Sequence, residues 1–87
     1  MSIILPVIKT DQQCYLEAII APLVMEDFDV EFKEDDRGIL LTVSLHRDDM
    51  GRVIGKNGET ARSIRRLLRQ FGMVRNQNIA VKINEPS

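Results

Sequence analysis

Eighty-seven residues, 44% hydrophobic and 29% charged, suit one globular domain and leave no room for a second core. One cysteine, Cys14, and one histidine, His46, exclude an internal disulfide and a Cys/His metal cluster. The net charge of -1 conceals a division: residues 1–49 carry four Lys/Arg against eleven Asp/Glu, and residues 50–87 carry eight against two. The basic half therefore suits a polyanion, unless the two halves neutralise each other in the fold.

The opening MSIILPVIK is apolar but far shorter than a membrane span. It also lacks the basic start, apolar core and cleavage site of a signal peptide, so a cytoplasmic protein with no membrane partner is expected. Thr10 with Gln13 fits a helix-capping box. Leu16, Ile19, Ile20, Leu23 and Val24 then recur at the spacing of one helix face, which Pro22 should kink or shorten. Cys14 reads as a small buried residue on this helix. Phe28, Val30 and Phe32 alternate with charges, and Ile39, Leu41, Val43 and Leu45 alternate again. The charged link EDDRG, residues 34–38, is a hairpin turn between two strands.

After the second strand, Asp48 or Asp49 is positioned to cap a short helix running through Ile54. His46 beside these acids invites an acid–base reading, but a strand end followed by a capped helix explains the same residues without chemistry. From Glu59 a second helical pattern sets Ala61, Ile64, Leu67, Leu68 and Phe71 on one side and Arg62, Arg65, Arg66 and Arg69 on the other. Gly72 should end it. A last strand alternates Ile79, Val81 and Ile83 with Ala80 and Lys82. The order is α-β-β-α-α-β, an α+β domain.

Between the second and third helices lies Gly55-Lys56-Asn57-Gly58. Glycine permits a sharp turn and a close approach by another chain. The helix that follows presents unpaired N–H groups and the positive end of its dipole, a seat for phosphate, and Lys56 adds a full charge. A nucleotide P-loop is excluded, because Gly51 precedes Gly55 by four positions instead of five and Asn57 follows the lysine. A dinucleotide fingerprint fails on glycine spacing. A DNA-reading helix-turn-helix is disfavoured by the strands on both sides of the helix pair.

VIGKNG between two short helices flanked by strands resembles the GxxG signature of a KH domain, in the type II arrangement. From about Thr10 onward the chain is similar to the bacterial single-KH RNA-binding proteins of the KhpA family. Their APLV, HxxDxGxVIGKxG and TAxxxRxLL segments correspond to residues 21–24, 46–58 and 60–68. One departure from many KH domains is Ala61, where an aliphatic Ile is common three residues after the loop; base preferences of those domains are not transferred.

The resemblance implies a three-stranded mixed sheet with helices packed on one face, spanning residues 10–85 after an extension of residues 1–9. It implies a groove for about four nucleotides of single-stranded RNA, whose backbone GxxG clamps. The expected contacts are Gly55, Lys56, Asn57 and Gly58, with phosphate contacts from Arg52 and Arg62 and apolar surface for bases from Val53 and Ile54. Val53 and Ile54 are equally open to a core role. Arg65, Arg66 and Arg69 read as a solvated helix face. No nucleophile, metal set or paired-carboxylate site is present, so neither an enzyme, a cofactor nor a small-molecule substrate is expected. The family further implies a post-transcriptional regulator or RNA chaperone, acting as a homodimer or with a second KH-containing protein. Leu67, Met73 and Val74 are the candidate dimer surface, or else they close the monomer core. The competing reading is a protein-interaction module of KH fold with little or no RNA binding.

Overall fold

The computed structural model describes residues 9–84; the apolar opening before Lys9 lies outside the described residues. Helix α1 spans Asp11–Ile20. Thr10 starts it from an extended conformation: its Oγ1 accepts from the Gln13 N–H at 3.2 Å, and Gln13 Oε1 accepts from the Thr10 N–H at 3.0 Å. Two donors that a helix start leaves open are thus satisfied reciprocally. Proline supplies no N–H and crowds the preceding turn, so α1 stops before Pro22 and the chain passes through one 3-10 turn at Ala21–Leu23. Leu16 and Ile20 are fully buried. Cys14 is exposed, contrary to expectation. Gln12, Leu16 and Ile20 define the inward line at four-residue steps, and Cys14 lies roughly half a turn from it.

Strands β1 (Phe28–Asp35) and β2 (Gly38–Leu45) pair antiparallel from Phe28↔Leu45 to Asp35↔Gly38. The connection is therefore Asp36 and Arg37 alone, tighter than the five-residue link read from sequence. Strand β3 (Ile79–Asn84) lies parallel to β2, from Ile39↔Ile79 to Ser44↔Asn84, giving the mixed order β1-β2-β3. Two-residue periodicity sends Val30, Leu41, Val43, Leu45 and Val81 to the helix-covered face. Asp29, Glu31, Lys33 and Leu40 stand exposed between them.

Helices α2 (Met50–Ile54) and α3 (Glu59–Val74) complete the layer. Val53 from α2 and Ile64 and Leu68 from α3 join Leu16, Ile20 and the β2 residues in one core. Burial of each such aliphatic side chain contributes about 1.5–3 kcal/mol. Two glutamines fasten α1: Gln13 Nε2 donates to the Val30 carbonyl and Gln12 Nε2 to Gln77 Oε1, both at 2.9 Å.

Helix α3 runs through Gly72 instead of ending there. A Cβ at Gly72 would stand 2.6 Å from the Gln77 carbonyl oxygen and 3.1 Å from Ile79 Cγ1, so this glycine admits the returning chain. The terminating residue is Asn76, at φ +57°. The Gln77 N–H reaches the Gly72 carbonyl at 2.7 Å and the Asn76 N–H reaches the Met73 carbonyl at 3.2 Å, a Schellman closure with asparagine in the left-handed position.

Candidate nucleic-acid interface

The loop is built on the short helix before it. A 3-10 turn, Arg47–Asp49, follows β2, and His46 caps it: Nδ1 accepts from the Asp48 N–H at 3.1 Å. The expected cap from Asp48 or Asp49 is not made. Asp49 precedes α2 but turns its carboxylate inward, where it is fully buried. Its oxygens accept from the Met25 N–H at 3.0 Å, the Glu26 N–H at 2.9 Å and Arg52 Nη1 at 2.9 Å. Donation from the Met25 N–H, with help from Glu26 and Arg52, outweighs the cost of burial and holds this carboxyl below the usual carboxylate range. Asp49 thereby joins the turn after α1 to the start of α2 and anchors Arg52, whose side chain remains 55% exposed.

Val53 and Ile54 separate. Val53 is fully buried, so the expectation that it faces bases is corrected: its side chain fills the core beneath the loop. Ile54 is half-buried at the end of α2.

Gly55, Asn57 and Gly58 all have positive φ, at +76°, +56° and +74°. Lys56–Gly58 forms a single 3-10 turn, closed by the Gly58 N–H on the Gly55 carbonyl at 3.2 Å. The backbone is folded tightly enough that Lys56 and Asn57 project outward and are exposed. A Cβ on Gly55 would overlap Thr60 Oγ1 and stand 2.8 Å from Thr60 Cβ, so Gly55 permits the close junction of α2 and α3. Gly58 is the N-cap of α3 in the left-handed region and supplies no side-chain cap. The Glu59 N–H donates to the Lys56 carbonyl, and the start of α3 keeps the positive end of the helix dipole. Arg62 is exposed one turn further on, and its Nη1 is the nearest atom to the space a Gly58 Cβ would occupy, at 3.7 Å. The loop and its flanks thus gather Lys56, Arg62 and a helix N-terminus, a combination that attracts phosphate.

Of the residues read from sequence, Gly55, Lys56, Asn57, Gly58 and Arg62 come together at one corner, with Ile54 and Arg52 flanking it. Leu67, Met73 and Val74 are 43%, 65% and 82% exposed, so they do not close the monomer core. Sequence reasoning missed the buried anchoring role of Asp49 and the close approach of Thr60 to Gly55. Both lie within the segments that carried the resemblance, which was the available signal. Among the described residues no group of His, Cys, Asp and Glu could hold a metal ion, and no helix is long and apolar enough to cross a membrane.

Comparison with known proteins agrees with this geometry. The KhpA/KhpB KH-domain model matches residues 13–83, from α1 to β3. The RNA-binding protein KhpA of Listeria monocytogenes is 37% identical over 70 residues, covering 78% of this chain and 92% of that protein. KhpA of Bacillus subtilis is 37% identical over 67 residues, covering 75% and 83%. Among solved structures, Aquifex aeolicus Era bound to GDP and aluminium fluoride superposes with a TM-score of 0.58 at 14% identity, over 85% of this chain and 29% of that one, a likeness of fold alone. With helix order, sheet pairing, glycine loop and sequence match in accord, the chain belongs to the KhpA/KhpB KH-domain family.

Proposed function

We propose that this protein binds single-stranded RNA without catalysis, through a backbone clamp at Gly55-Lys56-Asn57-Gly58. The observation that carries the reading is the loop itself: positive φ at Gly55, Asn57 and Gly58 leaves Lys56 and Asn57 exposed at the start of α3, which no side chain caps. Relatives bearing the same KH domain are named RNA-binding proteins, which supports the choice of ligand. A phosphate seated over the loop would meet the positive end of the α3 dipole, the Lys56 ammonium and the Arg62 guanidinium. Arg52 stands on the other side, its guanidinium held through Nη1 by Asp49 and its side chain still half-exposed. Ile54 supplies apolar surface to an adjacent base.

The expected affinity is modest. The chain has no Trp and one Tyr, and stacking on aromatic rings is a main source of single-strand affinity. Tyr15 is moreover engaged with Phe71, ring centroids 4.7 Å apart. Dimerisation through Leu67, Met73 and Val74, with a second copy or another KH-containing protein, would raise affinity by avidity. Such binding suits a cytoplasmic post-transcriptional regulator or RNA chaperone. The same exposed apolar residues favour a second reading, a KH-fold interaction module that binds little RNA. Titrating single-stranded RNA, single-stranded DNA and duplex DNA at one salt concentration separates these readings. Preference for single strands with RNA bound best is expected; binding to none of them would favour the interaction module.

A further inference from the structure

The arginines on α3 carry more than the clamp uses. Arg62, Arg66 and Arg69 follow one another at four- and three-residue steps and are all exposed. They span about 10 Å of helix at 1.5 Å per residue. The row begins at the loop, where Arg62 Nη1 borders Gly58. Arg65 leaves the row: its Nε donates to the Val81 carbonyl at 3.3 Å and ties α3 to β3.

The row has no internal counter-charge. Glu59 is the sole acid in α3. Among the described residues, Arg62, Arg66 and Arg69 pair with no carboxylate, although the chain holds thirteen Asp/Glu. The halves of opposite charge therefore do not neutralise each other through this helix. Like charges at four-residue spacing destabilise a helix, so the arrangement is a cost to the fold that an external polyanion would relieve.

We propose that the outer face of α3 is a second phosphate-binding track, with Arg66 and Arg69 holding nucleotides of the same RNA strand beyond those gripped by the loop. The inference rests on the RNA-binding reading and extends its footprint along the helix. Continuity with Arg62 favours the strand already held at the loop over an acidic protein segment.

The test compares the wild type with Arg66→Gln/Arg69→Gln on single-stranded oligouridines of about four and about twelve nucleotides. Both side chains are exposed, and thermal unfolding at or above the wild-type temperature confirms that the fold survives. The variant should bind the long RNA about tenfold more weakly and the short RNA as the wild type does. Its salt slope on the long RNA should shrink by about 1.4, from about 0.7 per lost phosphate contact on a single strand. Arg66→Lys/Arg69→Lys should retain most of the long-RNA affinity. Undiminished long-RNA binding and slope overturn the track, as does an equal loss on both lengths or a loss that lysine does not repair. If Lys56→Asp/Asn57→Asp still abolishes short-RNA binding in that case, the clamp stands and the track alone fails. If the wild type binds neither RNA, the reading beneath both fails.

Discussion

A Cβ on Gly55 would stand 3.0 Å from the Thr60 backbone nitrogen, while one on Gly58 would clear its nearest neighbour by 3.7 Å. Only the first glycine makes room; the second serves a left-handed turn that Asn also tolerates. Gly55→Ala should therefore cost about 2–4 kcal/mol by combining backbone strain with overpacking, and Gly58→Ala about 1–2 kcal/mol from strain alone. Urea denaturation of both variants checks the difference; equal losses would mean that Thr60 yields freely. At Asp49 the bonded form is the carboxylate, and its acidity is shifted below the ordinary value. Its stabilising contribution is then complete above the ordinary carboxylate range and is lost as pH falls through the depressed value. Asp49→Asn should be less stable near neutral pH and should lose less than the wild type on acidification below about pH 4. Parallel acid limbs in denaturation of the two proteins would contradict that role.

Helix α3 shows how a local rule and a tertiary contact divide the work of ending an element. Alanine exceeds glycine in helix propensity by about 1 kcal/mol, so propensity alone favours Gly72→Ala. The close approach of the Gln77 carbonyl reverses that preference. Gly72→Ala should destabilise by about 1–3 kcal/mol, whereas Asn76→Gly, at the true left-handed position, should be neutral or mildly stabilising. Thermal unfolding of both distinguishes a packing glycine from a capping one. The strands were legible because Val30, Leu41, Val43 and Leu45 recur at two-residue spacing, broken by polar residues except at Leu40, and the α1 start because Thr10 and Gln13 lie within one turn. Gly72 and Asp49 were not, since each is decided by backbone groups elsewhere: Gln77 in the first case, Met25 and Glu26 in the second. Cys14 is of a type often buried, but its position on the α1 wheel turns it outward. Val53 and Ile54 are adjacent and alike in sequence, and only the orientation of the five-residue α2 separates the buried one from the half-buried one. The GKNG corner itself was legible, because its glycines, cation and following helix are contiguous.

Across the described residues, charge is weighted by surface. Exposed Asp29, Glu31, Glu34 and Asp35 outnumber Lys33 on β1, and exposed Arg62, Arg66 and Arg69 outnumber Glu59 on α3. Such a distribution disfavours an anion over β1 relative to the arginine row on the outer face of α3, as the proposed clamp and track require. Adjacent to that face, Leu67 and Val74 are seven residues apart on one helix line and exposed. Sedimentation across a concentration series should show a dimer, and Leu67→Glu, at a 43% exposed position, should give a folded monomer with weaker RNA binding. A wild-type monomer at high micromolar concentration would remove this surface from the interface. The clamp is tested most directly by RNA titration of Lys56→Asp/Asn57→Asp beside the wild type, at matched salt. Both positions are exposed, and Asp tolerates the left-handed conformation at residue 57 better than most residues, so the fold should be retained. Two carboxylates against a phosphate should lower affinity by at least about a hundredfold, on the order of 3 kcal/mol; a folded variant that binds RNA as tightly as the wild type would contradict the clamp.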